Sequence, residues 1–277
     1  MQPLVESLSA AAEHLDLELI VTDQSDDQQV KAMLAGTERP FDWQVTTSER
    51  GLSRGRNAGL PLARGDVVAF PDDDLRYPPG VLEHVVARLR EEPPLDGLSI
   101  GLAGSDAGTP KLLRSPDHTV DVVPNNVILT VISCGLFLRR RLARLVGGFD
   151  EQLGAGSGTR WGAAEETDYV LRCLAVGANL VFDPTVWSVH IDTVLPPAEA
   201  RAKSRRYGQG IGMVLRRHDV SALHVGHLAA RRLLKVGWLG ARGHLDDSRT
   251  AAAWGAGLVV GYLSRGPAPA TIRSPVP

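Results

Sequence analysis

The chain has 277 residues, 43% hydrophobic and 22% charged, with a net charge of −2. That is enough apolar material for one large domain, or one domain with an appendage, and too much for a disordered chain; the near-neutral charge gives no sign of a nucleic-acid groove. Cys134 and Cys173 lie far apart without metal-ligand spacing and read as ordinary buried thiols of a reducing compartment.

Met1-Gln2-Pro3 runs straight into an amphipathic segment, with no signal peptide visible. Leu4, Val5, Leu8, Ala11, Ala12 and Leu15 recur at helical spacing, so the chain opens in a helix that lays one face on a sheet. Leu17 to Thr22 reads as a strand, closed by Asp23-Gln24-Ser25-Asp26-Asp27, a turn-rich acidic segment that also suits a helix cap. Residues 42–47 read as another short strand. Gly51-Leu52-Ser53-Arg54-Gly55-Arg56-Asn57-Ala58-Gly59 follows, with two arginines near a helix start. Oriented N–H groups and cations there suit a phosphate, and a plain helix with surface arginines is the alternative.

Asp66-Val67-Val68-Ala69-Phe70 is too short and too β-rich for a helix and reads as a buried strand. It ends in Pro71-Asp72-Asp73-Asp74. Ligands of open α/β sheets bind at the carboxyl ends of strands, and three adjacent carboxylates repel one another unless a cation or donors neutralise them. Oxygen ligands of this kind suit Mg2+ or Mn2+, against a solvated acidic turn as the plain alternative. Strands alternate with helices up to about Gly101, which implies a parallel, helix-covered sheet. Residues 103–126 then read as a surface excursion rich in Gly, Pro, Ser and Asp. Residues 127–138 read as a buried strand, before a basic helix start at Arg139-Arg140-Arg141 and the turn Gly147-Gly148-Phe149-Asp150.

A glycine-rich, flexible loop, residues 154–164, leads to a helix whose first turn carries Glu165, Glu166 and Asp168. The macrodipole alone favours acids there, but it does not explain the long loop with Trp161-Gly162. An aromatic ring beside carboxylates suits a sugar site, the ring covering a sugar face and an acid taking a hydroxyl proton. Residues 180–184 and 186–190 read as two short strands, the second closed by His190, which is either structural or a metal ligand. From about Pro197 the chain turns into basic amphipathic helices, which either lie on an anionic membrane surface or pack on the preceding domain. The apolar run 251–263 is shorter than the roughly 20 residues a bilayer span needs. Gly257 and Gly261 have small-xxx-small spacing, and 266–277 reads as a disordered Pro-rich tail.

From about residue 4 to His190 the sequence resembles glycosyltransferase family 2, the inverting transferases of GT-A fold. The resemblance rests on six landmarks in order: 18–25, 51–59, 68–74, 146–151, 161–168 and His190. It implies an α/β GT-A fold, a Rossmann-like, mixed but mostly parallel sheet flanked by helices. Residues 1–195 would be the catalytic domain (nucleotide half 1–102, acceptor half 103–195), with a helical extension over 196–265. It also implies a nucleotide-diphosphate sugar donor, a hydroxyl acceptor on a polysaccharide, glycolipid or small molecule, and a Mn2+ or Mg2+ cofactor. Asp23 would contact the base; Arg54 or Arg56 would lie near the nucleotide, with Asp72 and Asp73 beside it. Asp74 and Asp72 would hold the metal, with His190 touching metal or diphosphate, and Glu166 would be the catalytic base with Glu165 and Asp168 as neighbours. The expected location is the cytoplasm, with peripheral contact at the inner face of the cell membrane through the C-terminal helices.

Two departures qualify the resemblance. The family's central first strand should precede the opening helix, and this chain opens after it; its neighbours are then expected to show unpaired backbone edges. Either the natural start lies upstream or the protein is a shortened relative that binds a nucleotide sugar or a partner without turnover. Gln24 stands where a second acid is common, which leaves base preference open. A sugar nucleotidyltransferase is the remaining alternative, without its usual Gly-rich basic N-terminal loop.

Overall fold

The computed structural model describes residues 1–25, 29–36, 38–91, 94–104, 115–191, 195–264 and 266. Asp26 and Asp27, much of the 103–126 excursion and the tail beyond Gly266 lie outside the described residues. The apolar spacing at the amino end forms helix α1 (Gln2–Ala11), which buries Leu4, Val5 and Ala11. Strand β1 (Glu18–Asp23), helix α2 (Gln29–Ala35), strand β2 (Asp42–Thr47) and helix α3 (Leu52–Gly59) follow, and β1 pairs β2 in parallel over six residues.

The second sheet contains β3 (Val67–Ala69), β4 (Leu75–Arg76), β5 (Gly97–Gly104), β6 (Val120–Asp121), β7 (Leu136–Arg139) and β8 (Leu180–His190). Its order is β3-β7-β5-β8-β4, with β6 on β8. The long ladders, β1 with β2 and β5 with β8, are parallel; the antiparallel ladders span two or three residues each. Helix α4 (Val81–Arg90) covers one face with α1 through Leu82, Val85, Leu89, Leu98 and Ile100. The other face packs on α5 (Val127–Thr130), α6 (Arg140–Val146) and α7 (Glu165–Ala175), with Leu138, Leu142, Tyr169 and Phe182 at its centre.

Two local expectations change. Residues 127–138 are the one-turn helix α5, a 3-10 turn (Ser133–Gly135) and only then strand β7. Asn126 sets this up, its side chain accepting from Val123 N–H and donating to Asp121 O, while Thr130 Oγ1 donates back to Asn126 O. A buried apolar run carries no period that separates these outcomes. The two strands read around Pro184 are one strand, β8, whose register against β5 jumps from Ile100↔Asp183 to Gly101↔Trp187. Pro184 has no N–H for the ladder, and the bulge passes it by.

The edge of β1 away from β2 and that of β3 away from β7 have no strand partner among the described residues. Between them lies a cavity of about 410 Å3, lined by Leu19 and Val21 of β1, Val67 and Ala69 of β3, and Leu4 and Val85 of the covering helices.

Helices α8 (Pro197–Arg217), α9 (Ala222–Ala241) and α10 (Leu245–Leu263) complete the chain. Gly257 and Gly261 now have a role. A Cβ added there would stand 2.3 Å from Arg205 O and 2.1 Å from Gln209 O, and one on Gly208 or Gly212 of α8 would stand 2.2 Å from Trp254 O or 2.1 Å from Leu258 O. Glycine on both helices thus brings the α8 and α10 backbones together. A side chain at any of the four would push them apart at a cost of about 1–3 kcal/mol.

Candidate active site

Five segments converge at the carboxyl ends of β1 and β3. The three acids follow β3, and β4 pairs β8 so that Leu75 faces His190; Ile191 N–H donates to Asp74 O at 2.8 Å. His190 Nε2 then lies 3.2 Å from Asp74 Oδ1. One ligand atom from each of Asp72, Asp74 and His190 falls within 4.8 Å of the others, a spacing that fits a divalent cation. Asp73 points to solvent and lines the mouth of the β1–β3 cavity.

Arg56 joins this cluster to the second acidic segment. Its Nη1 donates to Glu165 Oε1 at 3.0 Å, and its Nη2 lies 3.5 Å from Asp72 Oδ1 without a hydrogen bond. Nη2 is a buried donor left unsatisfied, on a guanidinium 5.2 Å above the Phe149 ring. Buried donors rarely remain unpaired, and this one fits a ligand oxygen such as that of a diphosphate. Phe149 is held in turn by Tyr169 (ring centroids 4.2 Å) and Phe70 (5.0 Å). Asn57 clasps the Gly147-Gly148-Phe149 turn, accepting from Phe149 N–H at 2.6 Å and donating to Phe149 O at 2.9 Å. A Cβ at Gly148 would sit 2.8 Å from Asn57 Oδ1, which explains that glycine.

Glu165 and Glu166 open α7, behind Ala164, which is held at φ 75 in the left-handed region that alanine avoids. Glu165 is buried against Gly154, where a Cβ would come within 3.1 Å of its carboxylate. Burial and the neighbouring Glu165 carboxylate push Glu166 up to about 8. That is a base poised near neutral pH. Burial likewise raises Asp72, with Asp74 and Glu165 adding to it against Arg56 and His190. Asp23 is buried at the end of β1 and accepts from Ser25 Oγ and N–H, which hold its carboxyl below the usual range.

Four of the expected site residues make other contacts. Asp168 is a structural acid: its carboxylate takes Arg172 Nε at 2.9 Å, His218 Nε2 at 2.9 Å and Arg217 Nη1 at 3.3 Å, tying α7 to the end of α8. Burial alone would raise its pKa, and His218 and Arg172 outweigh that and lower it. The Trp161 ring is 5% exposed and sits in the core with Arg160 stacked 4.2 Å over it, so it offers no open face to a sugar; Gly162 beside it packs on Arg206. Arg54 turns to Glu151 (3.5 Å) and Glu49 (3.9 Å), leaving Arg56 as the arginine at the acids. The glycine loop is also tied down, by Leu52 N–H to Ala155 O and Thr159 Oγ1 to Gln152 O, its Gly154, Gly156 and Gly158 supplying positive φ.

Two residues escaped the sequence reading. Arg206 and Tyr207 of α8 lie on this side: Arg206 packs on Gly162, and Tyr207, 37% exposed as a residue, has its hydroxyl pushed up to about 12 by partial burial and by the charges of Glu165, Glu166 and Asp72. Only the Gly208-x-Gly210 step beside them hinted at close contact. A Cβ on Gly210 would stand 2.4 Å from Ala163 O, so α8 lies directly against the segment before α7.

A helix-flanked mixed sheet with an acid cluster at its strand ends is the architecture of the GT-A transferases. The profile of glycosyl transferase family 2 matches residues 1–145, more than half of the chain, and the chain belongs to that family. Among solved structures, residues 1–349 of TarS from S. aureus align over 93% of this chain and 86% of that one, at 14% identity and TM-score 0.54; its complex with UDP-GlcNAc gives 16% and 0.53. The mannosyltransferase PcManGT from Pyrobaculum calidifontis, in complex with GDP-Man and Mn2+, aligns over 94% and 84%, at 16% identity and TM-score 0.58. At these identities the likeness establishes the fold. No curated protein sequence matches the chain.

Proposed function

We propose that the protein moves a sugar from a nucleoside diphosphate to a hydroxyl acceptor, with inversion at the anomeric carbon. The observation that carries this is Arg56, a buried guanidinium that joins Asp72 of the acid cluster to Glu165 and keeps one donor unsatisfied for a ligand. Such a donor suits the diphosphate, and Asp23 suits the base. Asp72, Asp74 and His190 fit a divalent cation, and the imidazole among them favours Mn2+ over Mg2+. That ion, when bound, supplies charge neutralisation of the departing diphosphate. Glu166 takes the acceptor hydroxyl proton as that oxygen attacks the anomeric carbon from the face opposite the diphosphate. One displacement inverts the configuration. TarS with UDP-GlcNAc and PcManGT with GDP-Man make uridine and guanosine diphosphate sugars the first donors to try.

The open cavity between β1 and β3 favours a second reading, in which the chain binds the nucleotide sugar without turnover. An assay with UDP- and GDP-sugars, Mn2+ and a panel of acceptors separates the two: a product whose anomeric configuration by NMR is opposite to the donor's supports the first. A retained configuration contradicts it, and binding with no transfer to any acceptor leaves the second.

A further inference from the structure

Helix α9 carries a face that the catalytic reading does not use. Leu223, His227, Ala230, Leu234, Trp238 and Ala241 are all exposed and follow one another at intervals of three and four residues, so they form one stripe along the outside of the helix. Leu223 is 88% exposed, Leu234 75% and Trp238 53%, and Leu233 beside them is 69% exposed. Eight of the fourteen exposed large apolar side chains among the described residues lie between Leu223 and Leu263. The apolar exposure is therefore gathered on α9 and α10 and is not the scatter expected of an ordinary surface.

Charge follows the same division. Between Asp219 and Asp246 there is no acid, while Arg231, Arg232, Lys235 and Arg242 supply cations. Arg232 is taken up by the Trp254 ring at 4.2 Å. Lys235 is exposed beside Leu234, and the Arg242 guanidinium lies 4.1 Å over the exposed Trp238 ring, giving an apolar body with a cationic rim. No helix among the described residues is long and apolar enough to cross a bilayer. Two occupants fit an apolar stripe, a protein face or a lipid surface. A second copy of this chain would set Arg231, Lys235 and Arg242 against their own kind across a two-fold contact with no acid on the helix to pair them.

We infer that α9 is an interfacial helix that docks the protein on an anionic lipid bilayer, its Leu223–Leu234–Trp238 stripe in the acyl boundary and its cations at the headgroups. The inference is independent of the transfer reaction, because α9 contributes no residue to the acid cluster.

The test is co-sedimentation of the full chain with vesicles of phosphatidylcholine alone and of phosphatidylcholine mixed with phosphatidylglycerol, at low and high salt. Binding is expected to the anionic vesicles and to weaken with salt. Reversing Arg231 and Lys235 to Glu is expected to weaken it by at least about 30-fold, from roughly five-fold per cation. Leu234→Glu with Trp238→Glu is expected to abolish it, and both doubles should keep a Tm close to wild type, because Leu234, Lys235 and Trp238 are exposed and Arg231 is only half-buried. Equal binding to neutral vesicles, or salt-insensitive binding by the unaltered chain, overturns the inference. So does absence of binding to the anionic vesicles, and a dimer in velocity sedimentation that the Leu234→Glu/Trp238→Glu double dissociates would then give the stripe to a second copy of the chain.

Discussion

Glu166→Gln is expected to lower kcat by about 10²–10⁴-fold, the usual worth of a positioned general base, with donor binding left in place. The amide keeps the size and burial of the side chain but cannot take a proton. The same substitution has a second, independent signature in stability. An acid whose folded pKa, about 8, stands above its ordinary value of 4.5 holds a proton in the folded state that the unfolded chain has lost. Stability of the unaltered protein therefore declines as pH rises from near 4.5 to about 8, and the Gln variant escapes that decline. Without added metal, the Gln variant should melt close to the parent at pH 5 and above it at pH 8. A variant that melts lower at both pH values, or keeps its rate, would place the base elsewhere.

Arg56→Met carries the largest expected cost in stability. The methionine stem fills the space over Phe149 but leaves Glu165, 4% exposed, without its cation. Stranding a buried charge in this way costs about 3–5 kcal/mol. Adding Glu165→Gln removes the stranded charge and should recover much of the loss, a coupling measurable by denaturant titration of the two singles and the double. Arg54→Met is the contrast: its partners Glu49 and Glu151 are largely open to water, and the change should stay within about 1 kcal/mol. Equal costs at the two positions would remove the special place given to Arg56.

Much of this site was legible because its chemistry is local in sequence. Asp72 to Asp74 follow directly on a strand with a strong β signature, and β2 occupies the 42–47 span read for it. The opening helix was also legible, from apolar residues at helical spacing that bury Leu4, Val5 and Ala11. What was not legible depends on which way a helix faces. Asp168 stands in the same first turn as Glu165, yet the chain folds His218 and Arg217 back onto it from fifty residues away, and no local pattern announces that. Trp161 reads the same whether its ring covers a sugar or fills the core. The role of Gly257 and Gly261 was not legible either: with Gly208 and Gly212 they let α8 and α10 pack backbone to backbone, while Gly210 sets α8 against the segment before α7, and the spacing alone names no partner helix.

Calorimetric titration of UDP, GDP and dTDP, each with Mn2+ and each with chelator, into the chain and into Asp74→Ala tests the central claim most directly. The expected result is that one nucleotide binds with the cation, that chelator removes the binding, and that Asp74→Ala does the same while the protein stays folded. Binding that survives both chelator and Asp74→Ala would contradict the assignment of Asp72, Asp74 and His190 as the cation site that holds the donor.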